Sequence, residues 1–221
     1  MKFACVNQKA FWASRWTSTE QFETFESMSR EINWTHWSRI YEYPWVMTYG
    51  GFRKGQWILD AAGGNGDLQR FLAGTGAQVV NIDHDVSSQQ KVRNVINVEG
   101  DLRELHGVQS GVFHRVVNVS VLEHIEEWEK VLEELWRVLK PGGRLLLTFD
   151  VASYARWNHS IDRDAAIKLL RLFDCDLPDD QTSADSLLKM DFDEIERKPN
   201  DPEKVTLHVL CFCCDKPINS A

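Results

Sequence analysis

From residue 56 onward, apolar and polar positions fall into short strand-like runs that alternate with helical periods. Residues 57–61 (WILDA) read as a buried strand, and a glycine-rich turn leads from it into a helix carrying Leu68, Phe71 and Leu72. Residues 77–83 (AQVVNID) are the second strand, 95–101 (VINVEGD) the third and 113–119 (FHRVVNV) the fourth. The stretch between Asp85 and Arg93 is short for a full crossover helix. The clearest helix covers 125–139, where Trp128, Val131, Leu132, Leu135 and Leu139 recur at helical spacing before Pro141-Gly142-Gly143 ends it. Residues 144–150 (RLLLTFD) form the fifth strand.

Either side of this run the rhythm differs. Ser18-Thr19-Glu20-Gln21 fits a capping box, with Phe22, Phe25, Met28 and Ile32 close to a helical period after it. A second short helix over about 35–43 is expected to stop before Pro44. Downstream, Asp162 is placed to cap a helix running to about Phe173. Residues 190–197 and 205–213 read as two strands around Pro199-Asn200-Asp201-Pro202. Five βα steps and a hairpin predict an α/β fold, a mostly parallel helix-covered sheet with an antiparallel addition at its edge.

Composition narrows the class. A chain of 221 residues suits one well-buried α/β domain, and 43% hydrophobic with 26% charged residues excludes disordered and collagen-like chains. The longest apolar runs, such as Leu145-Leu146-Leu147, fall far short of the roughly 20 residues of a membrane helix. Residues 1–16 carry no apolar block of signal-peptide type, so the expected compartment is the cytoplasm. A net charge of −8 opposes a broad nucleic-acid footprint. The whole excess lies within 174–203, which reads either as a solvated face or as a field that steers a cationic acceptor. Five cysteines point to reduced thiols. Cys211, Cys213 and Cys214 read as small core-filling strand residues, because Cys5 and Cys175 offer no zinc-type pair, and no metal site is expected.

The candidate chemistry sits at strand ends. Asp60-Ala61-Ala62-Gly63-Gly64-Asn65-Gly66-Asp67 lies between a strand and a helix, where backbone N–H groups can approach a ligand. It lacks the third glycine of a dinucleotide fingerprint and the G-K-[ST] of a P-loop. Such a turn suits a nucleoside with little or no phosphate. Asp83 ends the next strand 17 residues after Gly66, close to the spacing at which a carboxylate takes ribose hydroxyls. Asp101 closes the third strand, placed to accept from the exocyclic amine of a base.

ILDAAGGNGDL, VVNIDHD, VEGDL, VLEHI and LKPGGRLLLTF, in this order, resemble the successive motifs of the class I S-adenosylmethionine-dependent methyltransferases over about 57–150. The resemblance implies a three-layer Rossmann-like methyltransferase fold: a mostly parallel seven-stranded sheet, an antiparallel C-terminal hairpin strand and helices on both faces. It implies that Asp60 orders the turn near the methionine ammonium, with Ala62, Gly63, Gly64 and Gly66 forming the backbone approach. It further implies Asp83 on the ribose, His84 beside the adenine, Asp101 on the adenine amine and Leu102 on the ring through its N–H. Val119 and Ser120 would line the methionine portion. Two positions depart from the family pattern: Ala62 stands where a first glycine is usual, and His114 where an acid often follows the opening Phe of the fourth strand.

The expected function is therefore in-line transfer of a methyl group from S-adenosylmethionine to a small molecule, leaving S-adenosylhomocysteine. The alternative is an S-adenosylmethionine-binding partner or regulatory protein without transferase activity. Residues 1–55 are expected to form a helical, aromatic-rich segment covering the site, and 56–221 the cofactor-binding domain, with 151–187 a variable substrate insertion. In relatives of this size a leading helical segment folds over the cofactor, which would bring Tyr41, Tyr43 or Trp45 near the site; ordinary packing against the sheet is the other reading. If the acceptor is a hydroxyl, His124 or His159 is the candidate base.

Overall fold

In the computed structural model, residues 1–12, 38–89, 91–152, 161–175 and 207–218 are described. Their strands are β1 (Val6–Trp12), β2 (Trp57–Ala61), β3 (Gln78–Asp83), β4 (Val95–Glu99), β5 (Phe113–Val119), β6 (Leu139–Ala152) and β7 (Leu207–Asp215). The helices are α1 (Arg39–Gly50), α2 (Leu68–Gly74), α3 (Trp128–Val138) and α4 (Arg163–Leu172). All seven strands form one sheet in the order β1-β7-β6-β5-β2-β3-β4. The β6-β5-β2-β3-β4 neighbours are parallel, and β7 is antiparallel to both β6 and β1. Six strands therefore share one direction and β7 alone opposes them.

Both sheet faces are covered, because the interior strands are apolar on both. Along β6, Leu145, Leu147 and Phe149 pack with Trp128, Val131, Leu132 and Leu135 of α3 and with Leu169 and Leu170 of α4. Leu146, between them, packs on the other face with Trp45 and Val46 of α1 and Leu68 and Leu72 of α2. The cysteines divide as their alternation predicts: Cys211 and Cys213 join the α1 face and Cys214 the α3 face, all three buried.

Three sequence expectations change. The sheet edge was expected to be a C-terminal hairpin, but the strand beside β7 is β1, from the N-terminus. Residues 190–197 lie outside the described residues. The physical reason is that β7 is buried on both faces from Val209 to Cys214 and takes a hydrogen-bonded neighbour on each side. Residues 6–12 accordingly belong to the sheet and not to a helical leading segment.

The second change concerns Pro44, which lies inside α1 and does not end it. A proline there removes a backbone N–H and disfavours the helix by about 3 kcal/mol. Burial of Trp45 and Val46, each fully inaccessible, contributes roughly 1.5–3 kcal/mol apiece and offsets that loss. The helix ends at Gly51, whose φ of 55° is left-handed. Its last carbonyls are met from the sheet: Arg144 Nη1 donates to Tyr49 O at 2.7 Å and Arg115 Nε to Gly50 O at 2.6 Å.

The third change lies at Pro141-Gly142-Gly143. These residues do not simply stop α3 but continue β6, with Gly142 N donating to Lys216 O at 2.8 Å and Lys216 N returning to Gly143 O at 2.8 Å. Among the described residues, no helix stands between β3 and β4, as the short connection anticipates. Ile96 and Val98 on β4 are consequently exposed.

Helix α4 starts where the sequence places it. Asp162 has extended backbone angles, and its carboxylate accepts from Ala165 N at 2.9 Å. Asp162→Ala is expected to destabilise the protein by about 1 kcal/mol. That corresponds to a fall of roughly 2–4 °C in thermal midpoint for a domain of this size. Asp162→Asn, which keeps the acceptor, should stay near the unaltered midpoint in the same calorimetric scan.

Candidate active site

The turn after β2 is held by side chains from its neighbours. Gly63 N donates to Asn81 Oδ1 at 3.0 Å, and Gly64 N to Asp83 Oδ2 at 2.9 Å. Gln69 Nε2 reaches back from α2 to Gly64 O at 3.0 Å. Asn81, fully buried on β3, was not singled out by sequence; its signal was a polar residue inside the apolar run QVVNID. Gly64 takes φ 54°, and a Cβ there would meet nothing within 4 Å, so the turn presents backbone to open space.

Asp60 lies beneath this turn. It is 1% exposed, and its Oδ2 has no hydrogen-bond partner. A Cβ on Gly63 would stand 1.9 Å from that oxygen, which explains why glycine is required. Burial, with Asp83 nearby, pushes the Asp60 carboxyl up to about 7, against the pull of a Gln69 hydrogen bond. A buried carboxyl with an unfilled oxygen is a natural seat for a cationic group. The donor set thus fits the ammonium and nucleoside parts of S-adenosylmethionine.

The other expected cofactor residues divide. Asp83 is 5% exposed and ends β3, where it also accepts from Asp85 N at 3.1 Å. His84 is exposed, with its ring Nδ1 3.0 Å from the Asp83 carboxylate. Asp101 is exposed and engaged: Arg103 Nη2 lies 2.6 Å and Arg103 N 2.8 Å from its carboxylate oxygens. That Arg103 grip holds the Asp101 carboxyl down to about 2. Leu102 and Val119 are buried. Ser120 follows β5 with a left-handed φ of 49°, and its N–H donates to Thr148 O at 2.9 Å.

Helix α1 runs along β5 and β6, with its first turn at their carboxyl ends, where Glu42 meets Ser120 and Thr148, and its last turn at Arg115 and Arg144. Tyr43 packs its hydroxyl on the turn, 2.9 Å from where a Gly66 Cβ would be. Trp45, one turn-face away, is core. The side chain of Tyr41 lies outside the described residues, as does His159. His124 is in a short turn (Leu122–His124) and its side chain is exposed, whereas its neighbour Glu123 is fully buried. Glu123 Oε1 accepts from Asp150 N at 3.2 Å, and burial together with Asp150 raises the Glu123 carboxyl well above its ordinary range. Glu42, on α1, is also fully buried, paired with Arg39 and accepting from the hydroxyls of Ser120 and Thr148. None of Glu42, Glu123 and Asp150 stood out by sequence, since acids on a helix or at a strand end ordinarily face water. Among the described residues, no group of three His, Cys, Asp or Glu has the arrangement of a metal site, and no helix is long and apolar enough to cross a membrane.

Ala62 holds φ 56°, a left-handed conformation that disfavours any residue with a Cβ by roughly 1–2 kcal/mol. Ala62→Gly should therefore stabilise the protein by about 1 kcal/mol after the extra freedom of unfolded glycine is counted, seen as a higher thermal midpoint. For Asp60 the sign follows from its raised carboxyl. Between the unfolded value near 3.8 and the folded value of about 7, the unfolded chain has lost a proton that the folded chain keeps. Stability is therefore full below that window and falls as pH rises through it. The stability of Asp60→Asn minus that of the unaltered protein should climb across the window toward roughly 4 kcal/mol and then level off. Denaturant titration at several pH values checks this, and a difference independent of pH would show Asp60 to be ionised throughout.

Comparison with known proteins places this geometry. The family model for the methyltransferase domain matches residues 59–147, from β2 through the middle of β6. The ubiquinone/menaquinone biosynthesis C-methyltransferase UbiE of Yersinia pestis bv. Antiqua is 36% identical over 109 residues, covering 44% of this chain and 43% of UbiE. The match thus spans under half the length of that relative. Among solved structures, Haemonchus contortus phosphoethanolamine N-methyltransferase 2 in complex with S-adenosyl-L-methionine is similar with a TM-score of 0.54 at 15% identity, over 92% of this chain and 58% of that one. The [4+2]-cyclase SpnF is similar with a TM-score of 0.59 at 14% identity, over 90% of this chain and 94% of that one. At such identities the solved structures speak for the fold alone. Sequence motifs, sheet order and the matched span coincide on the same strand ends, and over residues 59–147 the chain is similar to the methyltransferase domain family.

Proposed function

We propose that the protein transfers the methyl group of S-adenosylmethionine to a small-molecule acceptor. The observation that carries the donor half is Asp60: a buried carboxyl whose Oδ2 lacks a partner, beneath a turn of exposed backbone. The acceptor half draws support from UbiE, whose name states a ubiquinone and menaquinone biosynthesis C-methyltransferase. The net charge of −8 speaks against nucleic acid. The reading takes the cytoplasm as its compartment and invokes no metal.

S-adenosylmethionine supplies an electrophilic methyl group on a positive sulfur. Asp60 would hold the ammonium, and the carboxylate of Asp83 would take the ribose hydroxyls in place of its present backbone donors. Asp101 would accept from the adenine amine by giving up part of its contact with Arg103. Leu102 would bound the adenine and Val119 with Ser120 the methionine chain. Tyr43 and the first turn of α1 would roof the site and limit water, so that donor and acceptor are held in line. Where the acceptor must lose a proton, Glu123 is a better-placed store than the exposed His124, because it is buried and its carboxyl is raised.

Isothermal calorimetry tests the donor half with S-adenosylmethionine and S-adenosylhomocysteine. Both should bind, and Asp83→Ala should weaken both by roughly tenfold or more, since charge-assisted hydrogen bonds are lost. An ammonium beside Asp60 favours its ionised form. Binding at about pH 6 should accordingly release close to one proton, read from the dependence of heat on buffer. Asp60→Asn should abolish that dependence. No heat with either ligand would overturn the proposal.

A further inference from the structure

Glu42 is the one acid of α1, and it is fully inaccessible. Its Oε1 accepts from Ser120 Oγ at 2.6 Å and from Thr148 Oγ1, while Oε2 pairs with Arg39 on the preceding turn. Three elements thus meet on one carboxylate: α1, the residue leaving β5, and β6 near its carboxyl end. Thr148 is itself fully buried, and its carbonyl takes the Ser120 N–H at 2.9 Å. Ser120 is consequently held at both its hydroxyl and its amide, in a left-handed conformation (φ 49°) that a residue with a Cβ adopts only when its surroundings require it.

Anchoring the helix does not by itself account for a carboxyl group here. An apolar side chain of the same volume would seat α1 at least as firmly, because a buried ion pair seldom exceeds a hydrophobic replacement in stability. The far end of α1 is in any case secured by Arg115 and Arg144 on its last carbonyls. What the carboxylate adds, and an apolar group would not, is direction: one oxygen aims two hydroxyls and so sets the backbone at the start of the loop after β5.

We propose that Glu42 is a positioning residue of the donor site. It acts through Ser120 and Thr148 to fix the chain that lines the methionine portion, and it locks α1 over that chain. This rests on the donor-site reading given above. Glu42 itself touches no donor atom in this scheme; its effect passes through the Ser120 hydroxyl.

A double-mutant cycle on S-adenosylhomocysteine and S-adenosylmethionine binding tests the route. Glu42→Ala should weaken both ligands by about tenfold or more, the scale of a lost hydrogen bond to a charged group. Ser120→Ala should weaken them by less, and adding it to Glu42→Ala should cause little further loss, because the two act as one unit. Glu42→Gln, which keeps an acceptor oxygen for both hydroxyls, should recover most of the affinity. Thermal unfolding of each variant separates lost fold from lost positioning. Folded Glu42→Ala with undiminished binding overturns the proposal, as do single losses that multiply in the double variant. Should Glu42→Ala not fold, Ser120→Ala and Thr148→Val, which each remove one of the two hydroxyls, form the cycle instead. Coupled losses then support the shared carboxylate and multiplied losses overturn it. Absence of binding by the unaltered protein would bring down the donor-site reading as well, whereas the outcomes above bear on Glu42 alone.

Discussion

The seating of α1 across the sheet is the constraint on which the site depends. This helix carries a proline in its middle and little intrinsic reason to persist. It is held because its apolar face disappears into the core beside β6 and because charge meets it at both ends. At one end Arg115 and Arg144 satisfy its terminal carbonyls; at the other Glu42 collects hydroxyls from the ends of β5 and β6. Between these anchors the helix has no freedom to slide. That fixity is what brings the Tyr43 hydroxyl onto the glycine turn and makes a roof out of a segment that local sequence rules would break in two.

Under the roof, stability and binding pull in opposite directions. Asp60 is buried with an oxygen that nothing meets, and its neighbour Asp83 adds to the repulsion. An apolar or amide residue would suit the empty protein better. The arrangement makes physical sense as preorganisation: the protein bears an uncompensated acceptor that a cation completes. The left-handed backbone at Ala62 belongs to the same pattern, since a strained turn persists only where its surroundings over-determine it. The side chains of Asn81, Asp83 and Gln69 keep that turn from relaxing.

Strands β2 to β6 and helices α3 and α4 could be read from sequence because their patterns are local. Each is apolar over its own length or at its own period, and the acids at 60 and 83 stand where those runs end. What could not be read depends on partners far along the chain. Strand β1 (VNQKAFW) has no clean alternation and becomes a strand through its pairing with β7, some two hundred positions later. Pro44 obeys the local rule in sequence and is overruled by the burial of Trp45 and Val46. Glu42 and Glu123 look like surface acids until the sheet closes over them. Asp101 is the converse case: its place at a strand end was visible, but so was Arg103 two residues on, and the arginine takes the carboxylate in the absence of anything better. His124 shows how narrow the margin is, since moving one residue back along the same short turn passes from exposed imidazole to buried carboxyl.

The two halves of the site therefore differ in kind. The proposed donor half lies at strand ends whose spacing is set by the parallel sheet, and the fold itself is similar to that of a protein titled a [4+2]-cyclase, SpnF. Nothing in that half selects one reaction. Beside the proposed donor site, where α1 meets the ends of β5 and β6, this chain buries Glu42, Glu123 and Asp150, with Arg39 paired to Glu42. Burial together with Asp150 raises the Glu123 carboxyl well above its ordinary range, which favours its protonated form. On the proposed function, such a carboxyl would be able to take the proton that an acceptor gives up. The specificity of this protein is accordingly to be sought in the α1 face of the proposed site and not in the glycine turn, which lies within the span similar to the methyltransferase domain.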